Sequence, residues 1–160
     1  MRRAGRRRAT KSMKTKIFVD TNVLIYARDE AEGEKRQRAR DWLEALSLAE
    51  MAVLNRQVLN EFTRWMLRTN PRRPLEDVRT EIELLSIWGS APIQPEEVEL
   101  AWVARAQLRF QWFDCLLLAA AELAGCTYFL SEDMSDGKRF GSVTIIHPFR
   151  TTPRDLLFRD

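Results

Sequence analysis

Apolar residues fall into two kinds of segment along this chain. Four short runs, rich in β-branched and aromatic residues, have the length and composition of buried strands: Ile17-Phe18-Val19, Met51-Ala52-Val53-Leu54, Thr127-Tyr128-Phe129-Leu130 and Val143-Thr144-Ile145-Ile146. Between them lie longer stretches whose apolar positions recur every three or four residues. Thr21-Asn22, directly after the first run, marks a helix start. Residues 35–49 place Ala39, Trp42, Leu43 and Leu46 at helical spacing, with Arg and Glu on the other face. Asn55 is placed to cap a helix carrying Val58, Leu59, Phe62, Trp65 and Met66, which Asn70-Pro71 and Pro74 then break. A third amphipathic stretch runs from about Leu75 to Trp88, followed by a brief strand expected at Ala91-Pro92-Ile93. Pro95 opens the next helix, with Glu96 and Glu97 near its positive end. Residues 113–124 form an apolar-rich helix that Gly125 ends, and 131–141 is a polar loop.

Short apolar strands alternating with helices predict an α/β fold, with a central parallel sheet covered by helices on both faces. A length of 160 residues fits one domain. It is expected over 16–150, after an N-terminal extension at 1–15 and before a C-terminal tail at 151–160. No apolar run reaches the ~18 residues of a membrane span, so a cytoplasmic protein without a membrane partner is expected. Cys115 and Cys126 form no CxxC motif and sit among apolar residues, as small buried hydrophobes of a reducing compartment do.

Charge changes the picture at one end only. Residues 1–12 hold Arg2, Arg3, Arg6, Arg7, Arg8 and Lys11 and no acid. Removing those six from the 26 Lys and Arg leaves 20 against 23 Asp and Glu, so the rest of the chain is slightly acidic. A basic run without an apolar core is no secretory signal and is expected to be disordered. Met13 stands just before the first strand. The run is therefore either an RNA-binding arm or a stretch upstream of the true start.

Four acids stand where segments leave apolar runs or enter amphipathic ones: Asp20, Glu61, Asp114 and Asp133. In open parallel sheets the crevice beyond the carboxyl ends of the strands is the usual ligand site. Taken singly, Asp20 and Asp114 are also natural helix caps, Glu61 a solvated helix residue and Asp133 a turn residue. Together they are costly: two unit charges ~4 Å apart repel by roughly 4 kcal/mol at an effective dielectric of ~20. Such a cluster either protonates in part or holds a hard cation, and Mg2+ or Mn2+ accepts this oxygen donor set. His147 is the single histidine, which excludes a histidine-rich metal site or a two-histidine nuclease.

The stretches Phe18-Val19-Asp20-Thr21-Asn22-Val23-Leu24-Ile25-Tyr26, Gln57-Val58-Leu59-Asn60-Glu61-Phe62, Trp112-Phe113-Asp114 and Leu130-Ser131-Glu132-Asp133 resemble the four motif regions of PIN-domain ribonucleases. More narrowly they resemble VapC-type toxins of bacterial toxin–antitoxin pairs. The closing Val143-Thr144-Ile145-Ile146-His147-Pro148-Phe149 is also similar, with His147 where relatives often have Asn. The resemblance covers about residues 16–149 and implies a PIN-like three-layer α/β/α sandwich with a central parallel sheet. It implies a Mg2+- or Mn2+-dependent endoribonuclease whose catalytic acids are Asp20, Glu61, Asp114 and Asp133. Asp20 and Asp114 would be direct metal ligands, and Asp133 would bind a second metal or hold waters of the first. Glu61 would position or deprotonate the attacking water. Thr21 and Ser131 would support carboxylates or the scissile phosphate, Asp136 is a reserve acid, and Glu132 is expected to face solvent.

The same resemblance implies an RNA substrate, with transfer RNA preferred, a cognate antitoxin and a homodimer. An antitoxin surface is expected around Trp42, Leu46, Trp65 and Met66. Arg109, Lys138 and Arg139 flank two motif segments and are candidate phosphate contacts. Trp112 is placed either in the core or under an unpaired base. The alternatives are a PIN nuclease of RNA processing or turnover that has no antitoxin, and a catalytically silent nucleic-acid-binding domain. A dehalogenase-type phosphatase is rejected, because it needs a second Asp where this chain has Asn22.

Overall fold

The computed structural model describes residues 14–157, so the basic run at 1–12 lies outside the described residues. Five strands form one sheet: β1 (Ile17–Val19), β2 (Ala52–Val53), β3 (Tyr128–Leu130), β4 (Arg139–Phe140) and β5 (Val143–Ile146), in the order β2-β1-β3-β5-β4. The pairs β1–β2, β1–β3 and β3–β5 are parallel, while β4 runs antiparallel to β5 at the edge. The helices are α1 (Thr21–Arg28), α2 (Glu34–Ala49), α3 (Arg56–Thr69), α4 (Leu75–Leu85), α5 (Pro95–Leu108), α6 (Trp112–Leu123) and α7 (Pro153–Leu157). Successive strand residues point to opposite faces, and all three residues of β1 are buried, so both faces of the sheet are covered. Phe18 and Phe129 stack across β1 and β3 with centroids 5.2 Å apart.

Parallel register puts the strand ends level. Val19 lies beside Leu130, and Leu130 beside Ile146. The next backbone bonds continue the ladder, from Asp20 N to Leu130 O at 3.0 Å and from Ser131 N to Ile146 O at 3.1 Å. The chain passes from β1 to β2 on one side, then returns to β3 on the other. The crevice between β1 and β3 is therefore the topological switch point of the sheet.

Two strand expectations are corrected. Ala91-Pro92-Ile93 forms no strand. The segment does run beside residues 54–56, with Leu54 N bonded to Trp88 O and Arg56 N to Ala91 O, each at 3.0 Å. Pro92 has no N–H with which to extend the ladder. Gly89 permits the close approach: its φ is +133°, and a Cβ there would collide with the Leu54 carbonyl. Conversely, β4 forms inside the stretch expected to be loop. Two residues carry no periodicity, and their pairing to β5 through Arg139–Thr144 and Phe140–Val143 depends on tertiary context.

The expected antitoxin surface is also revised. Trp42 and Leu46 are fully buried and Met66 nearly so, and the Trp42 indole donates to Pro148 O at 2.9 Å. These residues form the single apolar stripe by which each helix packs on the core, Ala39, Trp42 and Leu46 on α2 and Val58, Leu59, Phe62 and Met66 on α3. Of the four expected residues, Trp65 alone is more than marginally exposed. Among the described residues, no helix is long and apolar enough to cross a membrane.

Candidate active site

Asp20 follows the last residue of β1 and is the N-cap of α1. Its backbone is extended (φ −72°, ψ 153°), and its Oδ1 accepts from Thr21 N at 2.7 Å. Ser131 follows β3 and is completely buried. Its hydroxyl donates to Asp20 Oδ2 at 2.6 Å and accepts from Asn22 Nδ2 and Asp133 N, both at 3.2 Å. Asn22 Nδ2 also lies 3.3 Å from Asp20 Oδ2. One hydroxyl thus ties the ends of two strands to the loop that carries Asp133.

Glu61 arrives from α3. The Thr21 hydroxyl donates to its Oε2 at 2.8 Å and Gln57 Nε2 to its Oε1 at 3.1 Å, so both carboxylate oxygens are held. Asp114 lies in the first turn of α6, where a negative charge complements the helix dipole. Asp20, Glu61, Asp114 and Asp133 all line one cavity of about 690 Å³.

The carboxylates are electrostatically coupled. Asp20 is raised to about 7, chiefly by burial; the hydrogen bonds from Ser131 and Thr21 pull against this, and Asp114 and Asp133 add to it. Burial also raises Asp114 to about 6, with Asp133 and Glu61 adding repulsion. Metal-free, the site resists full ionisation at neutral pH.

The donor set fits a hard divalent cation held largely through water. Among the described residues, no group of three or more His, Cys, Asp or Glu side chains is close enough to hold an ion directly. Mg2+ ordinarily uses one or two carboxylates and keeps several waters, so it does not require three acids in direct contact. Asn22 Oδ1, buried on the same cavity wall, has no hydrogen-bond partner among the described residues and adds an oxygen acceptor.

The other sequence candidates are distributed as follows. Thr21 and Ser131 support Glu61 and Asp20 as described. Asp136 accepts from His147 N at 2.9 Å and anchors a turn. Arg109, Lys138 and Arg139 are not among the cavity-lining residues. Arg109 ends α5 in the left-handed conformation, Lys138 lies 5.6 Å from the Phe110 ring centre, and Arg139 is in the edge strand β4. Glu132 departs from expectation: its side chain is 18% exposed and binds Lys35 Nζ at 2.6 Å. Burial pushes its carboxyl up, but hydrogen bonds from Lys35 and Tyr26 prevail and hold it low. A lysine reaching over from α2 cannot be read from the local sequence. Trp112 is half-buried against Trp102, with ring centres 4.4 Å apart.

Residues missed in the sequence complete the wall. Arg64 and Arg68 line the cavity at i+3 and i+7 from Glu61, so projecting α3 from Glu61 would have found them. Arg56 and Phe113 also line it. No local periodicity marks Phe113 as an exposed wall residue.

The family model described as "PIN domain" matches residues 17–135. No curated protein matches the chain. The fold is similar to that of a toxin–antitoxin complex from Klebsiella pneumoniae, at 20% identity and a TM-score of 0.60, covering 84% of this chain and 98% of that one. It is also similar to VapBC2 from Rickettsia felis bound to a DNA fragment from their promoter, at 13% identity and a TM-score of 0.56, covering 81% and 96%.

Proposed function

We propose, for a chain that belongs to the PIN-domain family, the activity of a Mg2+- or Mn2+-dependent endoribonuclease serving as the toxin of a toxin–antitoxin pair. The observation that carries this reading is convergence: four carboxylates from four separate chain segments line one cavity at the switch point of the sheet. Burying these carboxylates, and bringing them near one another, opposes their ionisation unless a counter-charge is bound, and Asp20 and Asp114 are raised first by burial and then by repulsion.

Asp20 and Asp114 would hold the cation, and Asp133 would bind a second ion or hold waters of the first. When bound, the cation supplies charge neutralisation at the phosphodiester and eases deprotonation of the attacking water. The protein's own residues do the rest. Ser131 and Thr21 N orient the Asp20 carboxylate. Glu61, held at both oxygens, lines the cavity and accepts the proton of the attacking water. Transfer RNA is the first target to test.

The two similar structures are of toxin–antitoxin assemblies, and this supports an antitoxin as partner. A homodimer and action in the cytoplasm belong to the same reading. The test is incubation of the purified chain with transfer RNA and total RNA, with Mg2+ or Mn2+ and with chelator. Discrete cleavage that chelator abolishes is expected; unchanged RNA with both metals would overturn the assignment. Co-expression with a neighbouring small gene that suppresses toxicity and co-purifies would establish the toxin role.

A further inference from the structure

The cavity has two chemically distinct parts, and the acids account for only one. Its wall on α3 carries Arg56, Arg64 and Arg68, all exposed. Among the described residues none of the three has a carboxylate within ion-pair distance, whereas Arg28, Arg38, Arg73 and Arg79 each pair with a glutamate. Arg64 and Arg68 are one helical turn apart, about 6 Å along the axis, on the face that also presents Gln57 and Glu61. Unpaired guanidinium groups beside an acidic floor would normally swing across and neutralise it. Here Glu61 accepts from Thr21 and Gln57, and among the described residues neither Arg64 nor Arg68 pairs with it, so both guanidinium groups are available to a ligand.

Opposite chemistry stands beside Asp114. Phe113 is 62% exposed and lines the same cavity. An isolated exposed aromatic on a surface is ordinary, but this one adjoins the partly buried Asp114 and lines a cavity walled by arginine. Aromatic faces and guanidinium groups along one groove are what a single-stranded nucleic acid requires: stacking for a base and point charges for its phosphates. A base paired in a helix keeps its faces covered and cannot use Phe113.

We infer that the cavity binds single-stranded RNA with one unpaired base stacked on Phe113 and the adjoining backbone led along Arg64 and Arg68, with Arg56 at the N-terminal end of α3. This deepens the nuclease reading and rests on it for the position of the scissile bond. Recognition by stacking and charge selects an unpaired segment over a duplex. It moves the aromatic contact from Trp112, which is packed against Trp102, to its neighbour.

The test uses the full chain and a short unstructured RNA carrying a fluorescent adenine analogue, with the same RNA annealed to its complement as control. Binding is followed by quenching in an Asp114→Asn background, and cleavage separately in the otherwise wild-type chain. Phe113→Leu should remove the quench and weaken single-strand binding about tenfold, within the range for loss of one stacked base, while Phe113→Trp restores both. Arg64→Gln with Arg68→Gln should make the salt slope shallower by about 1.4, or ~0.7 for each phosphate no longer neutralised. Melting temperatures of these surface variants should match the parent. Unchanged quench and affinity in Phe113→Leu, an unchanged salt slope in the arginine variant, or duplex bound as tightly as single strand would each overturn the inference. If quenching and variant effects appear as expected but the wild-type chain cleaves no RNA, the binding inference stands and the nuclease reading falls.

Discussion

The Ser131 hydroxyl donates a 2.6 Å hydrogen bond to Asp20 Oδ2, linking residues 111 positions apart at the ends of two adjacent parallel strands. Register makes the contact: once Val19 pairs with Leu130, the next residue of each strand emerges at the same edge. The bond favours the ionised form of Asp20 against the burial that opposes it. Ser131→Ala should therefore raise the Asp20 pKa further. Cleavage at neutral pH should fall and recover in part at higher pH, read as an alkaline shift of the acidic limb of the pH–rate profile. Equal loss of activity at every pH would mean that Ser131 acts only through packing.

Metal-free stability should depend on pH in a direction opposite to that of most carboxylates. Asp20 at about 7 and Asp114 at about 6 both lie above their ordinary value of 3.8. Between the ordinary and raised values the folded chain binds more protons than the unfolded one, so stability falls as pH rises from about 4 to about 7. The slope is at most about 1.4 kcal/mol per pH unit for each group. Denaturant melts in chelator should show this decline for the parent and a flatter profile for Asp20→Asn. A stability that rises across the same window would contradict the coupling.

A divalent cation should offset what burial and repulsion together remove. At free Mg2+ or Mn2+ ten times Kd, linkage predicts about 1.4 kcal/mol, or roughly 3–6 °C in Tm for a chain of this size. The shift should vanish in an Asp20→Ala/Asp114→Ala double variant. If it persists there, the ion binds elsewhere.

Glu61 should separate from the other acids. Thr21 and Gln57 already occupy its oxygens, so its expected work is proton transfer rather than metal retention. Glu61→Gln should reduce cleavage by about 10²- to 10⁴-fold while keeping the metal-induced Tm shift. Simultaneous loss of the Tm shift would make Glu61 a ligand.

Much of this architecture was legible in the chain because burial writes a period into sequence. The β-branched runs at 17–19 and 143–146, the Asn55 cap and the Pro95 start each combine a local signal with its tertiary outcome. The four acids could be recognised through their flanking motifs and share the cavity as expected. What escaped was set by contacts distant in sequence. Lys35 reaches Glu132 across 97 positions, and β4 exists only because β5 lies beside it. Arg109, Lys138 and Arg139 were chosen for adjacency in sequence, while the cavity takes its basic wall from Arg64 and Arg68, which share a helix face with Glu61.

The most direct measurement is RNA cleavage by Asp114→Asn beside the parent chain, with Mg2+ or Mn2+ and with circular dichroism and melting on both proteins. The substitution removes one charge with almost no change in volume, so the variant should fold and, without metal, melt no lower than the parent. Its metal-dependent cleavage should fall by at least about a hundredfold, the scale set by loss of one preorganised charged group. A folded Asp114→Asn that cleaves RNA at near-parental rate would contradict the central claim that this carboxylate cluster is the catalytic centre.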